Sequence, residues 1–286
     1  MVSASVLVNF KEGEWFRYQR EKDDWFMLKY TSLKEKDLSY LTFILRNGMV
    51  TARQIMLEFC EPNIHRVYRR LRKLEDKKFV RHERIAHKVG VYLGTMEARK
   101  LTNVSVTVPT KASIYTMQHD LLITDLILYY QFQAQKNGLE FKYRTEREIR
   151  YAMIGTGDNQ SKLKAYNAKR DRIPDAVFFF KSAEGNVTTT WVELELNKKE
   201  RKRYDEKFSL FEELLSSKKA SDQPYAYDQV IYFADDVKIH NAVNEAKDRL
   251  VNANKISVKK IPPVILEDRW EEVLPSGSDG KERGSG

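Results

Sequence analysis

Three acidic residues stand at the ends of two strand-like stretches that follow each other along the chain. Asp175 opens the apolar run 176–180, and Glu193 and Glu195 alternate along the run 191–196 after a short turn. Side chains two apart on a strand share a face, so both glutamates should project from one side of a sheet. Converging carboxylates offer the oxygen ligands that a hard divalent cation prefers. The spacing therefore indicates a candidate metal site.

A purely structural interpretation of the same acids stays open at this point. Asp175 would then cap a strand, and the two glutamates would pair with a basic loop at residues 162–172.

The composition limits the class of protein. With 286 residues and 42% hydrophobic content, the chain is long enough for two modest folded domains. No apolar run approaches the ~20 residues of a membrane helix, and the charges from Lys11 onward come too early for a signal peptide. The single cysteine excludes an internal disulfide and a multi-cysteine zinc site. We therefore expect a cytoplasmic protein without a membrane partner.

Positive charge is concentrated in one segment. The net charge of the whole chain is +9, and residues 61–90 carry ten Lys and Arg against four Asp and Glu, a local net charge of +6. Such a concentration indicates a polyanionic partner, with double-stranded DNA as the first candidate.

The same segment has the pattern of a DNA-binding unit. Three helices are predicted, the second capped by Thr51 and the third by Asn63, and two short strands follow around a basic tip at 86–88. This order predicts a winged helix-turn-helix domain over 33–103, with the third helix in the major groove. The expected DNA contacts are Arg66, Arg69, Arg70, Lys73 and Lys77 on the third helix, and Arg84, His87 and Lys88 on the wing.

Two other interpretations of the basic helix remain. Most charge runs are solvated helix faces, and winged helices also serve as dimerisation modules. The second case would give a homodimer.

The rest of the chain predicts an α+β domain. Residues 1–32 are expected to form an N-terminal arm, 104–116 a linker, 117–262 the second domain and 263–286 a mostly disordered tail. The second domain should contain helices over 117–135, 199–217 and 238–252 and strands over 139–143, 148–153, 229–233 and 256–258, besides the acidic hairpin. His119, Asp120 and Asp125 interrupt the apolar first helix, where a buried hydrogen-bonding role is the first expectation.

The acids and their strands resemble the PD-(D/E)xK nuclease-like fold, in its αβββαβ order. The motif here is Pro174-Asp175, followed by Glu193-Leu194-Glu195. The resemblance implies Asp175 and Glu193 as Mg²⁺ ligands and a catalytic role for Asp175, Glu193 and Glu195. The third position is commonly lysine, and a glutamate cannot supply that positive charge to a phosphate transition state. Nearby lysines that would partly substitute are Lys198, Lys202 and Lys207.

Taken together, the basic winged helix, His119-Asp120-Leu121, Arg172-Ile173-Pro174-Asp175-Ala176 and Trp191-Val192-Glu193-Leu194-Glu195 resemble the replication-relaxation family over about residues 35–235. The resemblance implies a DNA-binding accessory protein of plasmid or mobile-element replication or conjugative mobilisation, with a relaxase or replication initiator as partner. Asn197-Lys198-Lys199 departs from the Arg-Gly-Thr that often follows these acids in the family. The alternatives are a Mg²⁺-dependent endonuclease and a winged-helix transcriptional regulator.

Overall fold

A computed structural model describes residues 33–85, 89–154, 172–216 and 225–274. Within these ranges the chain is a mixed α+β protein with nine α-helices and two β-sheets. The predicted arm at 1–32, the wing tip at 86–88, most of the basic loop at 162–172 and residues 275–286 lie outside them.

The first unit consists of four helices and a three-stranded antiparallel sheet in the order β1-β3-β2. Its elements are α1 (Glu35–Asn47), β1 (Met49–Val50), α2 (Ala52–Glu58), α3 (Ile64–Asp76), β2 (Val80–Ile85), β3 (Val89–Gly94) and α4 (Met96–Thr102). Gly48, at a φ of 81°, ends α1 in a conformation that favours glycine. The hydroxyl of Thr51 and the side chain of Asn63 accept hydrogen bonds from Gln54 N and Arg66 N, so the two predicted helix caps are confirmed.

The second unit is built on a five-stranded mixed sheet in the order β4-β5-β6-β7-β8. The pairs β4–β5 and β5–β6 are antiparallel, and β6–β7 and β7–β8 are parallel. Its elements are α5 (Ile114–Lys136), β4 (Glu140–Thr145), α6 (Glu146–Ile154), β5 (Ala176–Lys181), β6 (Val187–Glu195), α7 (Arg201–Ser216), β7 (Gln229–Ala234), α8 (Val237–Lys247), β8 (Ile256–Lys259) and α9 (Pro263–Leu266).

The strand predicted over 148–153 was wrong, because these residues belong to helix α6. Thr145 N donates to the Glu148 carboxylate at 3.0 Å, and Glu148 N donates back to the Thr145 hydroxyl at 3.4 Å. This reciprocal pair starts a helix directly after β4. Ile149 and Met153, one helical turn apart, pack on the core beneath the sheet.

Alternate residues of β5, β6 and β7 pack into two different cores. Phe178, Val192 and Phe233 belong to a core shared with α5 and the first unit. Their neighbours Val177, Trp191 and Tyr232 face a second core formed with α7 and α8. The period-two alternation of strands therefore separates the two layers on either side of the sheet.

The first core continues across the segment predicted as a linker. It joins Tyr40 and Ile55 of the first unit to Leu126 and Phe178 of the second, and Val106 lies fully buried between them. The Arg81 guanidinium also donates to two carbonyl oxygens of the connecting segment, those of residues 109 and 110. The two predicted domains thus share one hydrophobic core.

Residues 263–274 lie within the segment predicted to be mostly disordered, and the structure gives them helical turns. Val264, Ile265 and Trp270 are buried in the first core, and the Trp270 ring contacts Phe132 edge-on at 6.3 Å. Burial of these three apolar side chains explains the order. Along the described ranges, the helices are all too short or too polar to cross a membrane.

Two amide–carboxylate pairs join α2 to α5. Gln54 Nε2 donates to Asp125 Oδ1 and to the Leu121 carbonyl oxygen, both at 2.9 Å. Gln131 Nε2 donates to Glu58 Oε2 at 3.2 Å. Burial raises the pKa of both carboxyls to about 7, although these hydrogen bonds act in the opposite direction.

The charges that face these two carboxyls do not reverse the effect of burial. Arg46 lowers the pKa of Glu58, Arg53 lowers that of Asp125, and Asp268 raises that of Asp125. Each carboxyl keeps its proton in the folded chain at pH values where the unfolded chain has released it. The free energy of unfolding should therefore fall as the pH rises from about 4 to about 7.

We expect Glu58→Gln and Asp125→Asn each to stabilise the protein at pH 8, by roughly 1–3 kcal/mol. Either amide keeps the acceptor oxygen but has no proton to lose. At pH 4 each variant should be as stable as the wild type, which urea denaturation at both pH values would measure. Glu245→Gln, at an exposed position of α8, is the matched control. A gain that is equal at both pH values would contradict the explanation.

Candidate functional site

The Asp175 carboxylate is held against the end of strand β6. Asp175 N donates to the Val192 carbonyl oxygen at 3.1 Å, and Leu194 N donates to Asp175 Oδ2 at 2.8 Å. The side chain is 18% exposed. Asp175 therefore caps the strand pair, as the structural interpretation expects, and also stays open to a neighbouring cleft.

His119 of α5 pairs with Asp175. Its Nε2 lies 3.3 Å from Asp175 Oδ2 and 3.2 Å from the Leu194 carbonyl oxygen, and its Nδ1 lies 3.6 Å from Asp120 Oδ1. Burial alone would lower the pKa of His119, but the two carboxylates outweigh it and raise this pKa to about 11. The imidazole is therefore a cation at neutral pH. The same pairing holds the pKa of Asp175 below its ordinary value, although burial acts to raise it.

Glu193 faces helix α7, on the same side of β6 as Trp191. Lys207 Nζ lies 2.6 Å from Glu193 Oε1, and the Trp191 indole N–H donates to the same oxygen at 2.5 Å. Burial raises the pKa of Glu193 to about 7, while the Lys207 charge lowers it and the Asp175 charge raises it further.

Glu195 lies on the same face and is 6% exposed. Lys199 Nζ approaches its Oε2 to 2.5 Å, and the Tyr232 hydroxyl donates to this oxygen at 3.2 Å. The shared orientation of Glu193 and Glu195 confirms the expectation from strand alternation. In the part of the chain that the structure describes, Glu193 pairs with Lys207 and Glu195 pairs with Lys199. The basic loop that the sequence predicted as their partner lies outside the described residues except for Arg172, which pairs with Glu213.

Of the three lysines that the sequence suggested near the acids, Lys207 is the one that the structure places on them. Lys202 is 83% exposed, and its Nζ lies 3.8 Å from Glu206 Oε1. The sequence prediction missed Lys199, which stands four residues after Glu195. A lysine this close in sequence to a glutamate could have been predicted as its ion-pair partner.

Asp175 and Glu193 open into a cleft of about 1160 Å³ between α5, α6 and α7. Both acidic and basic side chains line it. The basic ones in its lining are His119, Arg147, Arg150, Arg172, Lys199, Arg203 and Lys207, and the acidic ones are Asp120, Glu146, Asp175, Glu193, Glu206 and Glu213. Among the described residues of this lining, the charges of the two signs nearly balance.

The carboxylates do not fit Mg²⁺ in this arrangement. Asp175, Glu193 and Glu195 each already pair with a cation and accept a further hydrogen bond. Among the described residues, no group of three or more His, Cys, Asp and Glu side chains is placed to hold a metal ion. A divalent ion would have to displace these donors first.

Helix α3 presents its arginines in two different environments. Arg66, Arg69 and Arg72 are exposed. Arg72 was missed by the sequence prediction, although it lies opposite the buried residues Val67 and Leu71 on a helical projection.

Arg70 and Lys73 of α3 instead bind a buried carboxylate. Arg70 Nη1 lies 2.6 Å from Asp37 Oδ1, Lys73 Nζ lies 3.2 Å from Asp37 Oδ2, and Lys34 N donates to Oδ2 at 2.8 Å. Asp37 is 0% exposed. Burial alone would raise the pKa of Asp37, but these donors lower it below its ordinary value. Arg70 and Lys73 therefore attach α3 to α1.

The hairpin β2–β3 stands beside α3. Arg84 is exposed on β2, whereas the predicted contacts His87 and Lys88 lie outside the described residues. The His82 ring stacks on Tyr92 at 4.7 Å, and His82 N donates to the Glu75 carboxylate of α3 at 3.3 Å. Lys77 is half-buried at the end of α3.

Comparison with known proteins assigns no family to this chain. The chain matches no family model, no curated protein and no solved structure. The resemblance to the replication-relaxation family stays a prediction.

Arg70→Ala should lower the free energy of unfolding by roughly 1–3 kcal/mol, because it removes a charge partner from the buried Asp37 carboxylate. Arg69→Ala, at the exposed neighbouring position, should change it by less than about 0.5 kcal/mol. Chemical denaturation followed by circular dichroism measures both. Equal stability of the two variants would show that the ion pair between Arg70 and Asp37 contributes nothing to the free energy of unfolding.

Proposed function

We propose that this chain is a DNA-binding accessory protein of plasmid or mobile-element replication or conjugative mobilisation. Its first unit acts as a winged helix on double-stranded DNA. Its second unit is a PD-(D/E)xK nuclease-like domain that does not cleave DNA. The resemblance described above implies a relaxase or replication initiator as the protein partner.

The observation that carries DNA binding is the exposed arginine face of α3. Arg66, Arg69 and Arg72 project away from the core on the third helix of the unit, and Arg84 is exposed on the adjacent hairpin. An exposed guanidinium forms bidentate hydrogen bonds with phosphate and with guanine, so this face suits the DNA backbone and the major groove. Arg70 and Lys73, which the sequence predicted as DNA contacts, pair with Asp37 and hold α3 in place, so we do not place them among the primary contacts.

Two features support a nuclease-like second unit. Helix α5 is followed by the antiparallel strands β4, β5 and β6, the crossover helix α7 and the parallel strand β7. This matches the αβββαβ order except that helix α6 stands between β4 and β5. The motif acids Asp175, Glu193 and Glu195 lie at adjacent strand ends. Their ion pairs with His119, Lys207 and Lys199 favour a role without cleavage.

We expect Arg69→Ala combined with Arg72→Ala to weaken binding to a fluorescent mixed-sequence duplex on the order of 10-fold or more. Loss of two phosphate contacts should also reduce the steepness of the salt dependence between about 50 and about 200 mM salt, by roughly 2 in the log–log slope. Fluorescence anisotropy measures both quantities. The melting temperature should stay at the wild-type value, because both side chains are exposed.

Lys238→Ala combined with Lys260→Ala provides the control, since it removes two exposed positive charges from the second unit. It should leave the affinity within about twofold of the wild type if α3 is the DNA-binding surface. Equal losses in the two double variants would mean that net charge alone attracts DNA, and this would overturn the assignment to α3.

A further inference from the structure

The three motif carboxylates have three counter-ions of their own. Asp175 faces His119 at 3.3 Å, Glu193 faces Lys207 at 2.6 Å and Glu195 faces Lys199 at 2.5 Å. None of these cations comes from strands β5 or β6. His119 belongs to α5, Lys207 to α7, and Lys199 to the segment that joins β6 to α7. Three separate elements thus each bring one positive charge to the acids at the ends of strands β5 and β6.

The Lys207 ammonium group is held on Glu193 by packing as well as by charge. Its Nζ lies 5.2 Å from the centroid of the Trp191 ring and 5.6 Å from that of Phe211, and the side chain is 19% exposed. Both aromatic rings are fully buried. A cation that is desolvated over aromatic faces and beside a carboxylate is strongly stabilised there.

The second donor on each acid makes these pairings specific. Leu194 N, the Trp191 indole and the Tyr232 hydroxyl each donate to the oxygen that the cation approaches. Further hydrogen bonds make a buried ion pair more favourable, and each of these three carboxylates accepts one.

We propose that His119, Lys207 and Lys199 replace a divalent metal ion as internal counter-cations of Asp175, Glu193 and Glu195. The negative charges of these three acids are then neutralised without a metal ion, and the ion pairs hold α5 and α7 against the sheet. This inference does not depend on DNA binding by α3, so that either proposal can fail without the other.

Two consequences follow for solution behaviour. In the wild-type protein each of the three motif carboxylates already has a counter-cation, so neither Mg²⁺ nor Mn²⁺ should raise the melting temperature through this site. Removal of one internal cation leaves carboxylates close together and uncompensated. Such a variant is destabilised, and an added divalent ion restores part of the lost stability.

The experiment is thermal unfolding of the full chain at pH 8, in EDTA or in millimolar MgCl₂ or MnCl₂. Lys207→Met keeps the stem that packs on the aromatic rings and removes the charge. It should lower the melting temperature by about 5 °C or more in EDTA and recover at least part of this in Mn²⁺. Lys202→Met, on the same helix and 83% exposed, should behave as the wild type in every buffer.

A second variant keeps the test decisive even if Lys207→Met does not fold. Lys207→Met combined with Glu193→Gln removes both charges and should be more stable in EDTA than Lys207→Met alone, without a response to metal. The proposal is overturned if Mn²⁺ or Mg²⁺ raises the wild-type melting temperature saturably and Asp175→Asn abolishes that rise. It is equally overturned if Lys207→Met matches Lys202→Met in all buffers.

Discussion

Helix α5 has to bury most of its surface, and the arrangement of both units depends on how it does so. Its residues Leu126, Ile127 and Phe132 lie in a core that extends to Phe178 and Phe233 of the sheet and to Ile55 of α2. A helix that is apolar nearly all round cannot leave one side to solvent. The sheet covers one side of α5, and the first unit covers another. One hydrophobic core therefore joins the first unit, for which we propose DNA binding, to the second unit, for which we propose a nuclease-like fold.

Three carboxyl groups inside this packing pair with side chains of other elements. Asp37 of α1 pairs with Arg70 of α3, Asp125 of α5 with Gln54 of α2, and Asp175 with His119. An unpaired buried charge costs several kcal/mol, so each pair restrains the two elements that supply it. The contacts specify where α3 and α5 sit, beyond what apolar packing requires.

The distinction between paired and exposed charge separates the two candidate sites. Basic residues around the cleft face acids that nearly balance them. On α3, Arg66, Arg69 and Arg72 remain exposed on the face opposite Val67 and Leu71. A polyanion is attracted where positive charge is uncompensated, which favours the α3 surface over the cleft.

The sequence by itself determined most of the order of the elements, the caps at Thr51 and Asn63, and the shared face of Glu193 and Glu195. These follow from local rules, because a cap needs a side-chain acceptor near its own helix and strand alternation has a period of two. The α+β class followed from the same patterns. The sequence misassigned 148–153, since a helix started by Thr145 and Glu148 and a short strand have similar apolar content.

Tertiary structure decided which charges are compensated. Asp37 and Arg70 are 33 residues apart, and Asp175 and His119 are 56 apart. No periodicity within one element indicates such a pair. Arg69 and Arg70 are adjacent and chemically identical, yet one is exposed and the other binds a buried carboxylate, because successive helical positions differ by about 100°. The physical reason is that the energy of a charge depends on what surrounds it after packing, and packing brings together residues that the chain keeps far apart.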